Sequence, residues 1–205
     1  MILEFIFRWA HVMFGITWIG LLYYFNFIQG EYFKEAEADA KADAVKKLAP
    51  RALWWFRWGA MFTFLTGLSL LHMVGASTNI LGMPMIWMGA LAGIFMFLNV
   101  WLIIWPNQKI VLGLVEGDGP AAAAKAGLAS RTNTLFSGPM LMGMLASKHL
   151  VVTGSDMGFY AACAIIVALE VNAVVGKMGP MASVKGVIHS SIGLTVVLGA
   201  LMLML

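Results

Sequence analysis

Apolar runs of about 20 residues recur along this chain and restrict its fold more than any other sequence feature. A helical run of that length crosses the hydrocarbon layer of a bilayer. Lipid requires that backbone polar groups be satisfied internally, and no alternating barrel pattern occurs, so helices remain. The chain is 61% hydrophobic and 11% charged, with a mean hydropathy of +0.86, which excludes an ordinary soluble domain. The sequence predicts an all-α, polytopic integral membrane bundle.

We divide the chain into six predicted spans that form a single transmembrane domain over residues 1–205. The spans are residues 5–28, 52–74, 84–105, 134–152, 158–176 and 182–205. Residues 31–48 are rich in Ala, Lys, Glu and Asp, which favours a helix on the cytoplasmic membrane surface. Residues 120–129 predict a short Ala-rich helix, and Pro106 is predicted to end or bend the third span.

The basic residues outside the predicted spans lie in alternate loops. The first, third and fifth loops contain them, the second has none, and only Lys148 lies near the fourth. Basic loops stay in the cytoplasm, so both termini are predicted outside, in the periplasm of a bacterial inner membrane. The net charge of +3 reflects these loops, and membrane lipid rather than nucleic acid is the expected partner.

The first span contains a stripe of unusual side chains at helical spacing, formed by Arg8, His11, Gly15 and Trp18. An ionisable residue inside a span is costly and is therefore a functional candidate. A haem against a helix requires an axial imidazole, a glycine that admits the flat ring and an arginine for the acid groups. The stripe therefore predicts cofactor binding. The alternative interpretation is a buried His11 hydrogen-bonded to a neighbouring helix, with Arg8 reaching the membrane surface.

Three of the four histidines share an outer layer at a helical rise of about 1.5 Å per residue: His11, His72 and His149. Two histidines from different helices are the usual ligands of a non-covalent b-type haem. We therefore treat these three as candidate haem iron ligands, and His189 as a fourth cofactor-binding candidate. For each histidine, an imidazole satisfied by packing or by the membrane interface is the alternative.

A second polar layer lies nearer the cytoplasm and contains Asn99, Glu170 and His189. Glu170 would be costly if it were charged and unpaired within a span, and the other two are its natural partners. This layer predicts proton transfer or substrate polarisation, and interhelical hydrogen bonding is the alternative. Arg131 and Asn133 lead into the fourth span. With Asn99 and Glu170, they complete the candidate catalytic set.

Short motifs along the chain carry a family resemblance. They are RWAHV (8–12), GITWIG (15–20), WWFRW (54–58), NV (99–100), IWPNQK (104–109), RTN (131–133) and SKH (147–149). In this order, over roughly residues 8–149, they resemble the N-terminal domain of the membrane-bound urate oxidase (urate hydroxylase) family. The resemblance implies a helical membrane domain and urate oxidation, with electrons passed to a cytochrome c.

The 205 residues contain no CxxCH motif, so we expect no covalent haem and an external electron acceptor. The sequence thus predicts a membrane oxidoreductase of the urate-oxidising type, in which a bound b-type haem passes electrons to an external cytochrome c. The alternative function is a non-catalytic haem-binding, structural or assembly subunit of a larger membrane complex.

Overall fold

The computed structural model describes residues 2–77, 82–150 and 156–205, and no strand occurs among them. Six long helices form most of this part of the chain, as the all-α prediction requires. They are α1 (Ile2–Tyr23, Tyr24–Gln29 and Gly30–Glu35), α2 (Ala38–Asp43, Ala44–Leu48 and Ala49–Ser77), α3 (Pro84–Leu98, Asn99–Ile104 and Trp105–Val111), α4 (Gly119–His149), α5 (Asp156–Val175) and α6 (Val184–Met204). The predicted end of the fourth span, residues 151–152, lies outside the described residues.

Five helices in the described part are long and apolar enough to cross a membrane. They correspond to Ile2–Glu35, Ala38–Gly75, Pro84–Val111, Asp156–Val175 and Val184–Met204. These helices support an integral membrane protein. The predicted fourth span lies in α4, which does not reach the same apolar composition because its sequence includes buried Thr132, Asn133, Thr134 and Ser137.

The predicted surface helix at residues 31–48 is not a separate element. Its first residues continue α1, the backbone is extended at Ala36 (ψ 141°), and its remaining residues form the beginning of α2. The helix then continues through Pro50. Proline has no N–H to donate to the preceding turn, and the wide π-helical turn at Ala44–Leu48 lies immediately before it. The residues of this segment that favour a helix therefore extend α1 and α2.

Two further predicted boundaries differ in the structure. α3 continues past Pro106, again with a π-helical turn before the proline, at Asn99–Ile104. The Ala-rich residues 120–129 and the fourth span form one continuous helix, α4. Its start is capped, because the backbone N–H of Ala121 donates to the Asp118 carboxylate over 3.0 Å. No strong helix breaker separates the two predicted segments, so the helix continues.

The described residues form two compact units. The first comprises Met1–Leu70 and Phe97–Ser130, and the second comprises Leu71–Met96 and Arg131–Leu205. In the first unit, α1 packs antiparallel against α2. The rings of Phe14 and Phe62 are 4.9 Å apart, and Trp18 is buried where its backbone passes Gly59.

In the second unit, α3 and α4 approach so closely that their backbones touch. A Cβ atom at Gly143 would lie 2.7 Å from the Met85 carbonyl oxygen and 2.8 Å from the Gly89 Cα. α6 is joined to α4 by the Ser191 hydroxyl, which donates to the Leu135 carbonyl over 3.0 Å. The second unit is therefore held by glycine contacts and buried hydroxyls.

Candidate functional site

His11 lies against α2 and is held there by a hydrogen bond. Its Nδ1 atom is 3.1 Å from the hydroxyl oxygen of Thr66. That hydroxyl donates its own proton to a carbonyl of α2, most closely to Phe62 over 2.6 Å. Because a hydroxyl has one proton, its lone pair accepts from His11, and Nδ1 is the protonated nitrogen. Nε2 is therefore the nitrogen with a free lone pair.

Gly67 forms a notch for the same imidazole. A Cβ atom at this position would lie 3.0 Å from Cε1 of His11 and 3.5 Å from Nδ1. A larger residue at this position would require the ring to shift by a few tenths of an ångström. At Gly15, by contrast, an added Cβ would meet no atom within 4 Å, so α1 is open beside the histidine. The approach of a flat ring at Gly15 stays a prediction.

The other members of the predicted stripe have different surroundings. Arg8 pairs with Glu4 one turn earlier, with Nη2 2.5 Å and Nε 3.0 Å from the same carboxylate oxygen. Trp18 is only 3% exposed, and its indole N–H has no hydrogen-bond partner in the described structure. The structure therefore brings His11 and Trp18 to α2 while Arg8 pairs within α1.

The first unit fits one side of a haem site. Protein histidines that bind a metal usually donate the second ring N–H to an oxygen, which orients the ring. His11 has this arrangement through Thr66, with the free Nε2 and the open space at Gly15. The other three histidines, His72, His149 and His189, belong to the second unit, where all three are exposed. The described residues contain no group of three or more His, Cys, Asp or Glu that could hold a metal ion.

A group of aromatic side chains lies between α2 and α3 in the first unit. The Arg57 guanidinium lies 3.9 Å from the centre of the Trp105 ring, and Trp58 meets Trp101 edge to face at 5.7 Å. Asn99, a predicted catalytic residue, is completely buried in this unit. The tryptophans thus pack on each other and on a cation between α2 and α3.

The remaining predicted catalytic residues lie in the second unit. Asn133 is completely buried, and its side-chain amide donates to the Met96 carbonyl over 2.9 Å. Arg131 and Glu170 are half-buried on α4 and α5. This hydrogen bond joins α4 to α3, so Asn133 helps to hold the two helices together. A catalytic role for these residues stays a prediction.

Sequence analysis missed the two α2 residues that position His11. Thr66 and Gly67 lie within an apolar run that contains other small residues. The sequence nevertheless contains a usable signal. Thr66 and Gly67 follow Thr63 by three and four positions, which places the three residues on the same face of the helix. Small polar residues clustered this way on a membrane helix mark a face that meets another helix.

Residues 82–175 match the sequence model of a protein family described as urate oxidase N-terminal. The match confirms the family resemblance over these residues, which include the motifs at 99–100, 104–109, 131–133 and 147–149. The matched residues are less than half of the chain, and the motifs around His11 and at 54–58 lie outside them. No curated protein and no solved structure matches the chain.

Proposed function

We propose that this protein is a membrane oxidoreductase related to the urate-oxidising membrane domain, with a b-type haem bound at His11 and an external cytochrome c as electron acceptor. The observation that supports this proposal most directly is the family match over residues 82–175, whose description names urate oxidase. The five helices able to span a membrane agree with a membrane-embedded enzyme part.

His11 is the residue that we propose as a haem ligand. Its Nδ1–H is engaged by Thr66, so the free Nε2 is the atom available to iron. A bound haem would supply reversible one-electron transfer. The chain's own contribution is to orient the imidazole, since Gly67 and Thr66 fix the ring against α2. The sequence names His72, His149 and His189 as candidates for a second ligand, and that choice stays a prediction.

A visible absorption spectrum of the detergent-purified protein tests the haem. We expect a Soret band, extractable b-type haem, and bleaching or a shift of the band when urate is added anaerobically. Absence of both the band and extractable haem would remove the electron-transfer function. A haem band that urate does not reduce would favour the non-catalytic subunit.

The ligand itself is tested with His11→Ala. We expect loss of haem or a five-coordinate spectrum, with the helix content unchanged, because six long helices do not depend on one imidazole. Val12→Ala, at an exposed neighbouring position of α1, is the control and should keep the spectrum. Separate Ala variants of His72, His149 and His189 should give one variant that copies His11→Ala. An unchanged spectrum in His11→Ala would exclude it as a ligand.

The second candidate function is a non-catalytic structural or assembly subunit of a larger membrane complex. The hydrogen bond from His11 to Thr66 favours it, because that bond by itself explains why an imidazole lies between α1 and α2. Isolation of the protein from its native membrane in a mild detergent distinguishes the two. Co-purification of stoichiometric partner subunits, without haem, would support the assembly role.

We further propose an inner-membrane orientation with both termini in the periplasm. The basic loops support it, and single cysteines test it in a Cys163→Ser background. A cysteine at the exposed Ala38 should resist a membrane-impermeant thiol reagent in intact cells, whereas one at the exposed Asp156 should react. The reverse pattern would overturn the orientation.

A further inference from the structure

The second unit contains a cavity at the turn between α5 and α6, and none of its lining residues is a candidate haem ligand. Its volume is about 590 Å³, which is within the usual range for small-molecule sites. The walls come from three helices, with Leu135 on α4, Leu169 on α5 and Leu194 on α6. The hydrogen bond from Ser191 to the Leu135 carbonyl joins the α4 and α6 walls.

The polarity of the cavity changes along the helix axes. Its polar lining residues, Asn172, Lys177 and Ser190, lie nearer the turn than Leu169 and Leu194 do. Leu169 is eight positions before Lys177, so along a helix the apolar wall extends about 12 Å into the span. The cavity therefore suits an amphiphile whose head lies at the turn and whose chain follows the helices.

The turn itself is ordered by local bonds, so Lys177 has a defined place at the rim. The Asn172 side chain donates to the Lys177 carbonyl over 3.1 Å and accepts from the Lys177 N–H over 3.3 Å. Gly179 follows with a positive φ of 51°, which a glycine adopts without strain. The ammonium group of Lys177 forms no ion pair among the described residues.

Lys177 carries the positive charge among the described residues that line the cavity. Residues 171–205 contain Lys177 and Lys185 but no Asp or Glu, and no carboxylate is among the described residues that line the cavity. A basic group at the membrane interface attracts anionic lipid by about 1 kcal/mol. The headgroup of a phospholipid also accepts hydrogen bonds, which the Ser190 hydroxyl is able to donate.

We propose that this cavity binds an anionic phospholipid, with its phosphate at Lys177 and an acyl chain between Leu135, Leu169 and Leu194. The site is independent of haem and of urate. It would stabilise the α5–α6 turn in membranes rich in acidic lipid.

Thermal unfolding of the full-length protein in mixed micelles tests the proposal. Phosphatidylglycerol should raise Tm by about 5 °C or more at saturation, and phosphatidylcholine with identical acyl chains should raise it much less. Inorganic phosphate alone should have no effect. Equal shifts with both lipids, or a full shift with phosphate alone, would overturn the proposal.

Variants then locate the site. Lys177→Gln should weaken the phosphatidylglycerol response by about fivefold in lipid concentration, while Lys177→Arg keeps it. Lys148→Gln removes the same charge from an exposed position at the end of α4 and should leave the response unchanged. An equal loss in both Gln variants would mean attraction by the general surface charge, and would contradict a site at the turn.

The acyl chain is tested by filling the cavity. Leu194→Trp should abolish the lipid response, whereas Val196→Trp, on the exposed part of the same helix, should keep it. If Leu194→Trp fails to fold, retention of phosphatidylglycerol by Lys177→Gln and wild type, measured by mass spectrometry after purification, replaces it. Retention equal in those two proteins would overturn the proposal.

Discussion

The two units join their helices in different ways. In the first unit, α1 meets α2 through side chains, with the His11–Thr66 hydrogen bond and the Phe14–Phe62 ring contact between them. In the second unit, α3 meets α4 through backbone, because Gly89 and Gly143 remove the side chains at the contact. Lipid provides no hydrophobic force between helices, so both contacts depend on packing and on polar bonds.

The two contacts differ in the space that they leave beside the helices. Only 11% of the most apolar part of α1 is buried, and α1 leaves open space at Gly15. The glycine contact of α3 and α4 leaves no such space, since even a methyl group would collide with backbone atoms. A side-chain contact is able to adjust to a substitution by rotation of the side chains, whereas a backbone contact has no such freedom.

The largest effect should come from the backbone contact. Gly143→Leu places a large side chain where a single Cβ already lies 2.7 Å from the Met85 carbonyl, so α3 and α4 must separate. We expect a loss of roughly 3 kcal/mol or more in unfolding free energy, measured by denaturant titration in mixed micelles. Gly193→Leu is the matched control, since a Cβ there meets no atom within 4 Å. Similar losses in both variants would disprove the close contact.

A smaller effect is expected at the side-chain contact. Gly67→Val would push against the His11 ring, 3.0 Å from the new Cβ, but an imidazole is able to turn aside. We expect a loss of about 2 kcal/mol in the same titration, and a changed Soret band if haem is bound. Gly15→Val, at the open position of α1, should cost much less in stability. A reversed order of the two variants would contradict the notch.

Removal of the hydroxyl that holds His11 should have a still smaller effect. Thr66→Val keeps the side-chain shape and removes the hydroxyl that accepts from Nδ1–H, so we expect a loss of about 1 kcal/mol. Thr66→Ser retains the hydroxyl and should retain most of the stability. If Thr66→Val proved as stable as wild type, the hydrogen bond would contribute nothing to the contact.

The smallest effect is predicted at the aromatic part of the first unit. Arg57→Gln removes the cation that lies 3.9 Å from the Trp105 ring, which should cost about 0.5–1 kcal/mol. The exposed Arg51 is the control, and Arg51→Gln should change stability by less. A difference in Trp fluorescence between the Arg57 variant and wild type would report the lost ring contact directly.

The histidine stripe shows how far sequence reasoning reaches into the site. Helical spacing correctly predicts that His11 and Trp18 share a face of α1. The same spacing assigns Arg8 to a ligand's acid groups, while the structure pairs it with Glu4 at i−4, a contact that one helix makes alone. The spacing of Thr66 and Gly67 indicates a helix-contact face but does not show that this face meets His11, because the register between two helices depends on side-chain packing that periodicity does not contain.

The sequence by itself determined that the chain is helical and suited to a membrane, because lipid leaves apolar segments of this length no other way to satisfy their backbone. It also determined the family resemblance, because that resemblance depends on the order of short motifs along the chain and not on contacts between residues. Only the tertiary structure decided which ring nitrogen of His11 is free and where α3 and α4 touch. It also showed that α2 and α3 continue past their prolines, with π-helical turns before them. These features depend on residues distant in sequence or on small backbone adjustments, and local propensity specifies neither.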